Sequence, residues 1–261
     1  MTVTISYDAV LARVRIAADG IDTDNTDARV ERSTDGIRWT TVRGASAVPL
    51  AADELAELAD DYEFPDGVMV TYRVTGNQED DAQTASTTTD LGQIWLKSVS
   101  RPFLNQPVTV VGWTDPIRAS RSAEFDVVGR SLPVAVTEVR GSRSWTVDIK
   151  TVDANAADDL DLALAAGDVM FLHIPAGCRV PGGYVSIGDT TERRTSQRGE
   201  TRVFSLPCRE VAAPGPYVVG STSTWTTVES TYADWSDVAS AHPTWADLLT
   251  LIGDPSEVIV P

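Results

Sequence analysis

The chain has 261 residues, 42% of them apolar and 23% charged, a balance that allows a packed globular core. It carries 38 acidic against 21 basic groups, a formal net charge of −17, which argues against specific nucleic-acid binding and against attraction to anionic lipid. No run approaches the ~18 consecutive apolar residues of a membrane span, so no membrane insertion is expected. The opening Met-Thr-Val-Thr-Ile-Ser-Tyr-Asp alternates like a strand and lacks the basic and apolar regions of a Sec-type leader.

The charge divides the chain into three segments. Residues 1–90 carry 7 basic and 18 acidic groups, residues 91–213 carry 14 of each, and residues 214–261 carry 6 acidic groups and no base. Only Lys97 and Lys150 are lysines. Turn residues recur every 8–12 positions between runs of Val, Thr, Ile, Tyr and Trp, the pattern of a mainly β protein.

In the first segment, strands are expected over Val3–Tyr7, Val10–Ile16, Ala28–Arg32, Arg38–Val42 and Val68–Val74. In the second of these, Val10, Ala12, Val14 and Ile16 read as the core face, with Arg13 and Arg15 on the wet face. Asp35-Gly36 and Asp66-Gly67 mark tight turns, because glycine tolerates positive φ. Ala51–Ala59 reads as a short helix, with Leu55 and Leu58 three apart. Asn155–Ala166 reads as a better one: Asp153 or Asn155 can cap it, and Gly167 can end it. A third helix is expected over Thr244–Ile252, stopped by Gly253 and Pro255.

The words ARVERSTDGIRWTTVRG (28–44) and PDGVMVTYRVTG (65–76) place Trp39 and Tyr72 on facing strands. This arrangement resembles a fibronectin type III-like β-sandwich over residues 1–90, and it implies that both rings are core. The stretch 51–62 departs from that pattern. In the second segment, WLKS–RPFLN (95–105), GR–PVAVTEVRGSRSW (129–145), DVMFLHIP (168–175) and PGGYVSIGD (181–189) together resemble minor tail proteins of long-tailed actinobacterial phages. The resemblance implies a ring-forming β-barrel over 91–213, related to tail-tube and distal-tail folds. It also implies a place at the distal end of a virion tail, after synthesis in the host cytoplasm. Implied partners are identical copies in a three- or six-fold ring, the tail tube and the hub.

The third segment, 214–261, reads as an acidic C-terminal arm. Trp225, Trp235 and Trp245 each begin a Trp-x-x-aliphatic step, spaced by ten residues. They are candidate docking residues, as interface cores are rich in aromatics. Arg193, Arg194 and Arg198 crowd the loop Asp189–Glu200, where their guanidinium forks suit a neighbour's carboxylates.

The usual signs of catalysis are missing from the sequence. No G-x-S-x-G, H-E-x-x-H, Walker A or G-x-G-x-x-G occurs. His173 sits in an apolar run and reads as a strand residue with a satisfied ring, while His242 reads as solvated. The acidic run Asp19–Asp27 fails the EF-hand test, with Asp27 and Ser33 where Gly and Glu are needed. Cys178 and Cys208 make no C-x-x-C and read as buried or half-buried free thiols. The expectation is a non-enzymatic structural protein without cofactor or metal. The alternative is a carbohydrate-binding or adhesion module that contacts a host-surface glycan.

Overall fold

The computed structural model describes residues 1–22, 24–50, 56–78, 82–215, 228, 232 and 234–242. The protein is mainly β. The first core lies between two sheets. One has the order β1-β2-β6, built from β1 (Thr2–Asp8), β2 (Arg13–Asp19) and β6 (Ala56–Asp61). The other has the order β4-β3-β7-β8, built from β3 (Asp27–Ser33), β4 (Thr40–Thr41), β7 (Met69–Gly76) and β8 (Gln83–Thr88). Strand β5 (Val48–Pro49) also pairs with β3. Val14, Ile16, Val30, Leu58, Tyr72 and Val74 fill the space between these sheets.

Three expectations for this region need correction. Strand β2 starts at Arg13, not Val10, because the Asp8 carboxylate collects the Val10 and Leu11 N–H groups (3.0 and 3.2 Å) and holds residues 8–12 as a turn. Val10 is therefore exposed. Arg13, expected on the wet face, is buried between Asp8 (3.1 Å) and Asp60 (2.7 Å).

Residues 56–61 form a strand, not the end of a helix; residues 51–55 lie outside the described residues. Helix propensity loses here to cross-strand partners, since Asp60 and Asp61 meet Arg13 and Arg32. Trp39 is half-buried rather than core. It precedes β4, where Thr41 lies opposite Glu31 and Thr40 opposite Arg32. Alternation places Trp39 on the Glu31–Arg73 face, with the Arg73 guanidinium 4.1 Å from its ring centre.

The second core lies against a nine-stranded sheet curled into a half-barrel. Its strands are β9 (Trp95–Ser98), β10 (Gln106–Pro107), β11 (Thr109–Trp113), β12 (Ile117–Arg118), β15 (Arg143–Thr151), β16 (Met170–His173), β17 (Gly183–Ile187), β18 (Thr191–Arg194) and β19 (Arg202–Glu210). A separate hairpin, β13 (Ala123–Phe125) with β14 (Val134–Val136), pairs only with itself. The main path runs β10-β9-β16-β17-β19-β15-β11, with β12 on β15 and β18 on β19. Its end strands β10 and β11, separated only by Val108, do not pair with each other, and the sheet is a half-barrel rather than the expected closed barrel.

Helix α1 (Ala154–Ala165) covers this core with Ala157, Leu160 and Ala163. Asp153 caps it through Ala156 N (2.8 Å), and Gly167 takes φ +68° at its end, as the sequence predicts. A second helix, α2 (Trp235–Ala241), is capped by Asp234. The expected helix over Thr244–Ile252 lies outside the described residues.

Candidate functional site

Strand β9 is buried on both faces because it runs between the two cores. Trp95 completes the first core and Leu96 enters the second. The alternation that separates these two side chains sends Lys97 to the same side as Trp95. Only 1% of Lys97 is exposed. Its ammonium donates to Ala12 O and Tyr62 O, both at 2.7 Å, and to His173 Nδ1 at 2.9 Å. Three protons thus meet three acceptors. Ala12 is the only non-glycine with positive φ among the described residues (+47°), and its carbonyl is one of the three acceptors.

His173 lies across from Trp95 in the β9–β16 pairing. Its ring meets Phe64 edge-on, with centres 4.8 Å apart. Burial, Lys97 and Arg32 push its pKa down to about 2, so the ring is neutral and accepts from the ammonium. Burial lowers Lys97 to about 7, against the pull of Asp61, Glu63 and Asp66.

Around this pair lies a network of buried ion pairs and hydrogen bonds. The Asp61 carboxylate accepts from Arg32, from the Tyr72 hydroxyl (2.9 Å) and from Glu63 N (2.9 Å). Glu63 takes a forked pair from Arg43 (2.8 and 3.2 Å) and a hydrogen bond from Tyr184 on β17 (2.8 Å). Arg43 also donates to the carbonyls of Pro214 and Gly215, tying the start of the C-terminal segment to the first core. Asp66 accepts from Leu91 N and Ala176 N, both at 2.8 Å. Gly67 is required beside it: φ is +70°, and a Cβ there would come within 2.4 Å of the Ala176 side chain. The two cores are therefore coupled by buried polar groups, most of them paired. His173 Nε2 and Trp95 Nε1 are buried without a hydrogen-bond partner, so the His173 ring is satisfied only at Nδ1, which corrects the expectation for it.

A different surface leaves the half-barrel after β11. Every residue from Trp113 to Arg140 is exposed. The ribbon is closed at its base by β12 on β15 and by Gly141 N to Ala119 O (3.0 Å). Beyond that it continues as the β13–β14 hairpin. Phe125, Val128, Leu132, Val134, Val136 and Val139 all stand in solvent, with Val128 103% and Leu132 77% exposed. Sequence reasoning assigned this stretch to barrel strands. The signal available was Pro116, Gly129 and Pro133, which break the run into a turn-rich ribbon too short in each piece for a sheet interior.

The candidate residues named from sequence fall elsewhere. Arg193 and Arg194 lie on β18 and Arg198 in the turn after it, all exposed. Trp235 opens α2 and is 61% exposed, whereas Trp225 and Trp245 lie outside the described residues. Nothing described brings the arginines and Trp235 into one site. Cys208 is buried and its thiol is pushed up to about 12 by desolvation; Cys178 is exposed, which corrects the expectation for it. His242 is half-buried, with Nε2 2.8 Å from the Tyr232 hydroxyl, rather than freely solvated. Among the described residues no group of three or more His, Cys, Asp or Glu could hold a metal ion, and no helix is long and apolar enough to cross a membrane. No family model matches the chain, and no curated protein matches it.

Proposed function

We propose that the protein is a structural component of a long-tailed phage, a minor or distal tail protein that assembles with identical copies into a ring at the tail tip. The observation that carries this reading is the place of the four sequence words in the fold. WLKS is β9 and DVMFLHIP contains β16; the two strands pair and hold Lys97 and His173 between the cores. PGGYVSIGD contains β17, next in the sheet, whose Tyr184 bonds Glu63. GR–PVAVTEVRGSRSW is the return limb of the exposed ribbon, entering β15.

The words that resemble tail proteins are thus the joint between two cores and the root of an outward limb. A joint that couples two sheets into one body suits a subunit that transmits load along a tail. In this reading the first unit is the fibronectin-like sandwich and the half-barrel is the tube-related unit. The exposed Arg193, Arg194 and Arg198 face acidic neighbours in the tail, and the Trp225–Trp245 segment docks on them.

Electron microscopy of the purified full chain tests the reading: closed rings of one rotational symmetry are expected. Antibody against the chain should label one end of virion tails. A chain that forms no rings and instead binds surface glycans of bacteria on an array would replace this reading with the adhesion-module alternative.

A further inference from the structure

Among the described residues, the ribbon from Trp113 to Arg140 is the longest continuously exposed stretch. A two-stranded ribbon is at best marginally stable alone in water. Here nine large apolar side chains between Trp113 and Val139 are exposed on it. Each of the nine is at least 41% exposed. Monomeric proteins seldom leave that much apolar surface uncovered.

Charge indicates what covers it. The chain as a whole carries −17, so most contacts between copies are opposed by like charge. The ribbon is an exception. Between residues 114 and 142, Arg118, Arg121, Arg130 and Arg140 balance Asp115, Glu124, Asp126 and Glu138. The surrounding segment 91–213 is neutral as well, with 14 charges of each sign. A neutral apolar ribbon gains no long-range attraction from a strongly charged foreign surface. The neutral segment of another copy receives it without repulsion. An edge also exists to receive it. Strand β11 ends the nine-stranded sheet, and Val111 and Trp113 on it are exposed. Both outer edges of the β13–β14 hairpin are free to pair.

We infer that the ribbon is a self-association arm that docks on the half-barrel of a second copy of this chain, along its β11 edge. The inference rests on the tail reading for the closed shape of the assembly, but not for the contact itself. A head-to-tail contact of this kind uses two different surfaces, so it closes into a ring when the rotation allows.

Sedimentation velocity of the full chain, across micromolar concentrations, tests it. The wild type is expected to associate with increasing concentration. The double variant Val128→Asp, Leu132→Glu should raise the dissociation constant at least about tenfold. Its thermal melt should stay unchanged when measured below the association range, since both side chains are exposed. A second variant replaces Ala123–Val136 by an Asn-Gly turn and should give the same loss. A wild type that stays monomeric, or variants that associate like it, would overturn the arm. Rings that survive both variants overturn the arm and leave the tail reading standing. Arm-dependent dimers that never close support the arm and count against the ring.

Discussion

Between the two cores, Lys97, Asp61, Arg13 and His173 are buried, and each is held by named partners. Along the ribbon, Phe125, Val128 and Leu132 are exposed, with no described side chain packed over them. Each region reverses the usual sorting of polar and apolar groups, in opposite senses. The junction is polar inside because every charge found an acceptor or counter-ion within the chain. The ribbon is apolar outside because none of the described residues covers it. The comparison predicts that junction substitutions change folding and ribbon substitutions change association.

The largest effect is expected at Asp61. Its carboxylate is shared by Arg32, Tyr72 and Glu63 N, and Asp61→Ala leaves a guanidinium and a buried hydroxyl without it. Breaking a buried pair from one side costs about 3–5 kcal/mol. Denaturant titration of the variant should show that loss. A loss below about 1 kcal/mol would mean the junction is wet and the contrast with the ribbon is weaker than drawn.

The next effect is on pH. Lys97 holds its proton less firmly in the folded chain, at about 7, than in the unfolded chain, at the ordinary 10.5. Between those values the unfolded chain binds more protons, so stability rises with pH. Raising pH from 7 to 9 should add about 2 kcal/mol in the wild type and much less in Lys97→Met. Tyr72 and Tyr184, both pushed upward by burial and by Asp61 and Glu63 respectively, stay protonated in that window. His173 acts in the same direction at lower pH. Its contribution is complete above 6.5 and is lost as pH falls toward 2. A wild type whose stability is flat from pH 7 to 9 would show that folding does not depress the lysine.

Trp39 sharpens the comparison inside the first unit. Its ring is half-buried under Arg73, so Trp39→Ala should cost about 1 kcal/mol, the scale of one cation–π contact with partial burial. A loss of about 3 kcal/mol or more, read in the same titration, would return it to the core.

Legibility in the sequence followed how local the deciding physics was. The helix over 154–165 was readable because its cap, its apolar spacing and Gly167 all lie within one stretch. The turns at Gly36 and Gly67 were readable for the same reason. Strand β6 was misread as helix because the arginines that hold it are far away in sequence, on β2 and β3. Trp39 was misread because the correct face depends on the register with Glu31, which begins after an irregular stretch. The junction was half legible. His173 stood out as a histidine in an apolar run, but Lys97 carried no such signal, and only the β9–β16 pairing brings the two together. The ribbon was not legible, because its alternating apolar residues look like buried strands until the half-barrel is seen to be built without them.

The smallest expected effect is also the one that separates the two regions most cleanly. Val128 is wholly exposed at the ribbon's tip, next to Gly129, whose φ is +86°. An aspartate there buries no charge and leaves the turn-forming glycine untouched. In the monomer, Val128→Asp should therefore change stability by no more than about 0.5 kcal/mol, as surface substitutions do. The same charge set against the apolar edge of a second copy would have to be desolvated, which is costly. The ratio of the two effects is the informative quantity. Equal losses of folding and association would mean the tip packs against its own chain, and the ribbon would then belong to the second core. A loss confined to association would place its complement on another molecule, which is what its apolar surface and its balanced charge require.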